Sequence, residues 1–143
     1  MSSQSKKVLV FGVFDILHDG HRYFLESAKA LGDKLFVVLA PDEAVLDLKK
    51  NHPHNPLALR MKNLETEKIA DHIFEGDSKS GSWNIFTELI PDIIALGYDQ
   101  EPLGKALETF LAQTKHNVKL VRLFPHNDET LHSSSLRKNL KKI

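Results

Sequence analysis

Apolar residues in this chain gather in short runs, and the runs alternate with stretches whose apolar positions recur every three or four residues. Val8-Leu9-Val10-Phe11 has the length and β-branched content of a buried strand, and Gly12 lets the backbone turn at its end. From Arg22 the period changes, and Tyr23, Phe24, Ala28 and Leu31 follow helical spacing. Gly32-Asp33 makes a turn before a second buried strand, Lys34 to Ala40. Pro41-Asp42 opens a short helix through about Leu48. The polar, proline-containing stretch KKNHPHN, from Lys49 to Asn55, reads as an exposed loop. Pro56 starts another helix, with Leu57, Met61, Leu64 and Ile69 near helical spacing. His72 to Glu75 is a short strand, Gly76 to Ser82 a glycine- and serine-rich loop, and Trp83 to Ile90 a helix. Ile93-Ile94-Ala95-Leu96 is a third strongly apolar strand, ended by Gly97. Pro102 to about Thr114 reads as helix, Asn117 to Leu123 as strand, Phe124 to His132 as loop, and Ser133 to Lys142 as a terminal helix. Strands alternating with helices predict a Rossmann-like α/β fold, a parallel sheet covered by helices on both faces, with right-handed crossovers.

Length and composition narrow the picture. A chain of 143 residues with 41% hydrophobic and 27% charged residues suits one soluble domain, expected over residues 6–143 behind a flexible tail at 1–5. Lysine plus arginine balance aspartate plus glutamate at 19 each, so net charge argues neither for nor against nucleic acid. Basic residues do pair locally, at Lys49-Lys50, Arg137-Lys138 and Lys141-Lys142, as solvated faces commonly do. The absence of cysteine excludes disulfides, thiolate metal sites and cysteine nucleophiles. The polar start MSSQSKK is no secretory signal, and no apolar run reaches the length that spans a bilayer, so the chain reads as cytoplasmic.

The candidate chemistry sits where the first strand gives way to the first helix. His18 and His21 lie at that junction, which in an open α/β sheet is where ligands bind. The free N–H groups and partial positive charge of a helix amino terminus favour an anion there, most often phosphate. Two readings of the pair stand open. Histidines three apart share a helix face and can ligate a metal, although only Asp15 is at hand to complete the set. Alternatively an imidazole N–H can donate to a phosphate oxygen that gains charge as a bond breaks. Simple capping or packing is the plainer option for either histidine. Gly12 and Gly20 favour phosphate, because a side chain at either would hold a nucleotide off the backbone. His52, His54 and His72 read as solvated, and Trp83 with Phe86 as core. Asp99 or Gln100, after Gly97, can reach a base or ribose. Ser133-Ser134-Ser135 with Arg137 can clasp a polyphosphate, or simply cap a helix. Neither G-x-G-x-x-G after the first strand nor G-x-x-x-x-G-K-[ST] is present, which argues against a dinucleotide oxidoreductase and a P-loop NTPase.

Gly12-Val13-Phe14-Asp15 followed by His18-Asp19-Gly20-His21 resembles the G-T-F-D-x-x-H-x-G-H signature of the HxGH nucleotidyltransferases, the cytidylyltransferase-like family. Leu131-His132-Ser133-Ser134-Ser135-Leu136-Arg137 resembles that family's second signature. Within the family, Pro91 to Gln100 (PDIIALGYDQ) is most similar to archaeal-type FAD synthases, with the glycerol-3-phosphate cytidylyltransferases the nearest alternative. Val13 replaces the usual threonine and leaves only its backbone N–H to offer.

The resemblance implies nucleotidyl transfer from ATP to FMN, or from CTP to a small alcohol phosphate, rather than a binding module without turnover. It implies that His18 and His21 meet the α-phosphate and its bridging oxygen, and that Ser133, Ser134 and Arg137 hold the outer phosphates. Lys49 or Lys50, on a mobile loop, closes over the triphosphate, and Arg60 assists. Val13, Phe14, Gly20, Gly97 and Asp99 hold the nucleotide, and His126 helps choose the base. Mg²⁺ arrives with the triphosphate, with no dedicated metal site on the protein. The implied partners are small-molecule substrates, not nucleic acid or a membrane, and the implied assembly is a homodimer.

Overall fold

Alternation within each strand decides the layers. Val8 and Val10 point to one side of the first strand and Leu9 to the other, and all three are fully buried, so both faces of the sheet must be covered. The structure, a computed structural model, describes residues 5–78 and 82–124, without the side chains of residues 47–49. In chain order it contains β1 (Lys7–Gly12), α1 (Asp19–Lys29), β2 (Lys34–Leu39), α2 (Asp42–Lys49), α3 (Leu57–Glu67), β3 (His72–Glu75), a 3₁₀ turn (Asn84–Thr87), β4 (Ile93–Leu96), α4 (Glu101–Ala112) and β5 (Lys119–Arg122). The described strands form one sheet in the order β3-β2-β1-β4-β5, and every neighbouring pair is parallel. On one face Leu25 and Ala28 of α1 and Leu64 of α3 pack on Val8, Val10, Val37 and Ala95. On the other face Phe86 and Leu107 pack on Leu9, Phe36 and Ile94. This is the Rossmann-like architecture that the alternation predicts.

The strand order reverses at β1. After β3 the chain returns to the other side of β1 and lays down β4 there, which opens a crevice at the carboxyl ends of β1 and β4, the usual ligand site of such sheets. One side chain pins that crevice. The Gln100 amide donates from Nε2 to the Phe11 carbonyl at 2.9 Å and accepts the Gly97 N–H at Oε1 at 2.8 Å. Gln100, expected to reach a base or ribose, therefore joins the two strand ends instead.

Two expected elements differ. The helix over Trp83 to Ile90 shrinks to the 3₁₀ turn, because Trp83 takes a left-handed φ of 55° and Pro91 disfavours helical backbone at Ile90. The turn's first amide is held by Asp77, whose carboxylate accepts the Asn84 N–H at 2.9 Å. The helix expected to run past Leu64 to Ile69 stops at Glu67, because Lys68 adopts a left-handed φ of 60°; Ile69 still packs on the core.

Candidate active site

His18 is the N-cap of α1. Its Nδ1 accepts the Gly20 N–H at 3.0 Å, and Nδ1 of His21 accepts the His18 N–H at 3.4 Å. The two imidazoles thus take the places that a hydroxyl and a carboxylate occupy in an ordinary capping box. Capping and ligand contact are not rivals here. A neutral imidazole whose Nδ1 accepts carries its proton on Nε2, so the 3.0 Å contact from Gly20 assigns His18 an Nε2–H donor. The rings stack with centroids 4.0 Å apart and planes 27° apart.

Burial pulls the His21 pKa below its ordinary value, and the neighbouring His18 adds to that. The Ile16 backbone and the Asp99 charge oppose it, and Arg22 contributes a smaller lowering. Two cations this close repel strongly, so a neutral His21 is the state the fold favours before an anion arrives.

The glycines have a structural purpose that the sequence does not announce. A Cβ on Gly20 would lie 2.9 Å from Cε1 of His18, and one on Gly12 would lie 2.5 Å from Cε2 of Phe14. Each makes room for one of the chain's own rings, and both line the cavity.

Asp15 anchors the segment before α3. Its carboxylate accepts the His54 N–H at 2.7 Å and the Asn55 N–H at 2.9 Å, and its carbonyl accepts from the Asn55 side chain at 2.8 Å. Burial raises the Asp15 pKa, but these N–H donors outweigh it and hold the carboxyl below its ordinary value. With both oxygens engaged, Asp15 does not complete a metal site with the histidines. Among the described residues no group of three or more histidines and carboxylates is placed to hold a metal ion.

One cavity of about 1320 Å³ gathers the described candidates: Val13, Phe14, His18, Gly20, His21, Gly97 and Asp99 all line it. Phe14 belongs to the wall beneath. It is only 6% exposed, so its ring packs in the core and cannot stack on a base. Arg60, expected to assist at the phosphates, is wholly buried. It donates to the carbonyls of Asn55, Val13 and Ala40 at 2.9, 3.0 and 2.8 Å, and to Asp42 at 2.7 Å, so it ties the ends of β1 and β2 to α2 and α3 and offers nothing to a ligand. Lys49 is the last residue of α2, not a loop residue, and its side chain is outside the description. Lys50 follows as a left-handed, exposed C-cap. His126, Ser133, Ser134, Arg137 and the expected terminal helix lie outside the described residues, as do positions 1–4 of the expected tail.

The far wall of the cavity was not legible in the sequence. Phe74, Trp83, Ile85 and Leu103 line it, with Asp77 and Glu88 nearby. Trp83 is half-buried and packs on the core beside Phe86 as expected, set against Phe11 with ring centroids 5.9 Å apart and against Phe110 at 5.8 Å. A single tryptophan at the end of a glycine- and serine-rich loop was the one signal available.

The chain is similar to several known proteins. A family model described as cytidylyltransferase-like matches residues 9–139. A protein named FAD synthase from Pyrococcus abyssi is 36% identical over 138 residues, covering 96% of this chain and 93% of its own. One of the same name from Methanosarcina mazei is 42% identical over 117 residues, covering 82% of this chain and 76% of its own. Among solved structures, one described as a lipopolysaccharide core biosynthesis protein from Thermoplasma volcanium superposes with a TM-score of 0.78 at 32% identity, covering 86% of this chain and 99% of that one.

Proposed function

The chain belongs to the cytidylyltransferase-like family, and we propose that it transfers AMP from ATP to FMN, giving FAD and pyrophosphate. The observation that carries this reading is one cavity that joins the paired imidazole donors to an aromatic wall. Its volume of about 1320 Å³ exceeds the roughly 300–1,000 Å³ of an ordinary single-ligand pocket, as a site for two large substrates requires. Trp83 and Phe74 offer flat apolar surface suited to an isoalloxazine ring, whereas a glycerol phosphate would leave that wall bare. Relatives named FAD synthase support the same choice.

An oxygen of the FMN phosphate attacks the α-phosphorus of ATP. A new P–O bond forms, the bond from the α-phosphorus to the α,β-bridging oxygen breaks, and pyrophosphate leaves with that electron pair. The attacking phosphate is already ionised near neutral pH, so the protein contributes position and charge stabilisation, not a strong base. His18 and His21 donate ring N–H groups to the α-phosphate and bridging oxygen, and the amino terminus of α1 adds its dipole. The backbone of Val13 and residues Gly97 and Asp99 hold the nucleoside, with His126 at the base. Ser133, Ser134 and Arg137 hold the β- and γ-phosphates, and Lys49 or Lys50 meets the triphosphate from α2. Mg²⁺ arrives as part of the MgATP substrate, keeping several waters and needing few protein ligands. The enzyme acts as a homodimer in the cytoplasm.

A pyrophosphate-release screen tests this. It crosses ATP and CTP with FMN, glycerol 3-phosphate, phosphoethanolamine and phosphopantetheine. Release is expected with ATP plus FMN. Release only in the CTP arms would overturn the choice of both substrates.

A further inference from the structure

Phe14 is an unusual residue to find with left-handed backbone. Its φ is 49°, a region in which a bulky L-residue is strained. The strain has a visible result. It turns the side chain back beneath the end of β1, where Gly12 has no Cβ; one built there would stand 2.5 Å from the ring. From that seat the ring meets α1 on a single face, edge-on to His21 with centroids 5.4 Å apart and planes at 71°, and against Phe24 at 6.4 Å and 30°. These contacts lie three residues apart on the helix and share its face. By contrast, the His18 N–H reaches Nδ1 of His21 at a long 3.4 Å, which is a weak constraint on the ring.

We infer that Phe14 is a positioning residue for the transfer reaction: its left-handed backbone and the bare Gly12 seat its ring against His21 and fix where the His21 imidazole points. The inference rests on the nucleotidyl-transfer reading for its catalytic meaning, and on geometry alone for its effect on His21. The charged and titratable groups that face His21 are His18 and Arg22 on α1 and Asp99 from the loop after β4, with the Ile16 backbone beside them. Phe14 supplies the apolar side of that environment. A smaller, non-aromatic residue at position 14 opens the imidazole to water and lets it turn, without removing any of those polar neighbours.

Phe14→Leu tests this in two ways. In the free protein, with no substrate present, the His21 resonance is assigned by its loss in His21→Ala and followed by NMR titration. Its pKa rises in Phe14→Leu toward the ordinary histidine value of about 6.5. In turnover, Phe14→Leu lowers kcat on the order of 10-fold or more with KM for ATP nearly unchanged, and the same substitution made in the His21→Ala background costs no further kcat. That non-additivity is what separates action through His21 from general loosening of the fold. An unmoved His21 pKa, or an equal kcat loss in both backgrounds, overturns the inference. Phe14→Met, of similar volume and unbranched, carries the same expectations and replaces the leucine variant if that one does not fold. The NMR arm reads the protein alone, so its result stands whether or not FMN is the acceptor.

Discussion

Replacing Arg60 with methionine should be among the most damaging single changes this fold can take, and the structure sets the size of the loss. Arg60 is wholly buried, and three of its four partners are main-chain carbonyls, those of Asn55, Val13 and Ala40. A buried ion pair can often be exchanged for apolar residues at little cost, because both charges leave together. Here that exchange is impossible, since no substitution removes a backbone carbonyl. Each buried acceptor left without a donor costs about 1–3 kcal/mol. These carbonyls belong to part-buried residues, and carbonyls tolerate partial satisfaction better than donors do, so the lower end is the ceiling for each, and three of them give a loss of up to about 3 kcal/mol. The fourth partner, Asp42, is 43% exposed, so its ion pair adds less than about 1 kcal/mol. Urea unfolding of Arg60→Met should show a lower midpoint with an unchanged slope, and the melting temperature should fall by up to roughly 10 °C in a domain of this size. Asp42→Asn should cost less than about 1 kcal/mol. The reasoning fails if Arg60→Met unfolds within about 1 kcal/mol of the parent protein, or if Asp42→Asn matches it, which would move the energy from the carbonyls to the ion pair.

The remaining predictions concern the site. His21→Ala should leave the circular dichroism spectrum unchanged and lower turnover on the order of 10²–10³, the scale for one such donor; near-normal turnover would take His21 out of the mechanism. Because burial holds the His21 pKa below its ordinary value, the folded state favours the neutral ring. Its contribution to stability is therefore complete above the unfolded value of about 6.5 and is lost as the pH falls below that toward and through the lower folded value. The difference in urea midpoint between about pH 7.5 and about pH 5.5 should accordingly shrink in His21→Ala. Arg137→Ala should raise KM for ATP more than it lowers kcat, measured by steady-state pyrophosphate release; an unchanged KM would give the terminal motif another role.

Much of this fold could be read from the sequence because its strands are buried on both sides. Val8 to Phe11, Leu35 to Leu39 and Ile93 to Leu96 are continuous apolar runs, and such runs declare themselves without any alternation to decode. The site's first half was legible for a related reason: a strand end, a glycine and a histidine pair fall within ten residues of one another, and local chemistry is what sequence spacing encodes. What escaped depends on tertiary packing. Arg60 looks like any exposed helix arginine until two carbonyls from distant segments and one from just before its own helix close around it. Phe14 looks like a ligand contact until its positive φ sends the ring inward. Gln100 looks free until the parallel register of β1 and β4 brings Phe11 within its reach. Gly12 and Gly20 stand out in the sequence, but one part of their purpose does not, because the rings of Phe14 and His18 that need the space belong to the chain itself. The Trp83 wall had no periodic signature, since a 3₁₀ turn closed by Asp77 follows neither a strand nor a helix period.

The most direct test follows the label. ATP radiolabelled at the α-phosphorus is incubated with the purified protein, Mg²⁺ and FMN, and the products are separated. Label is expected in FAD, formed in step with unlabelled pyrophosphate and slowed on the order of 10²–10³ in His21→Ala. Label remaining in ATP, while α-labelled CTP passes its label to glycerol 3-phosphate, would contradict it.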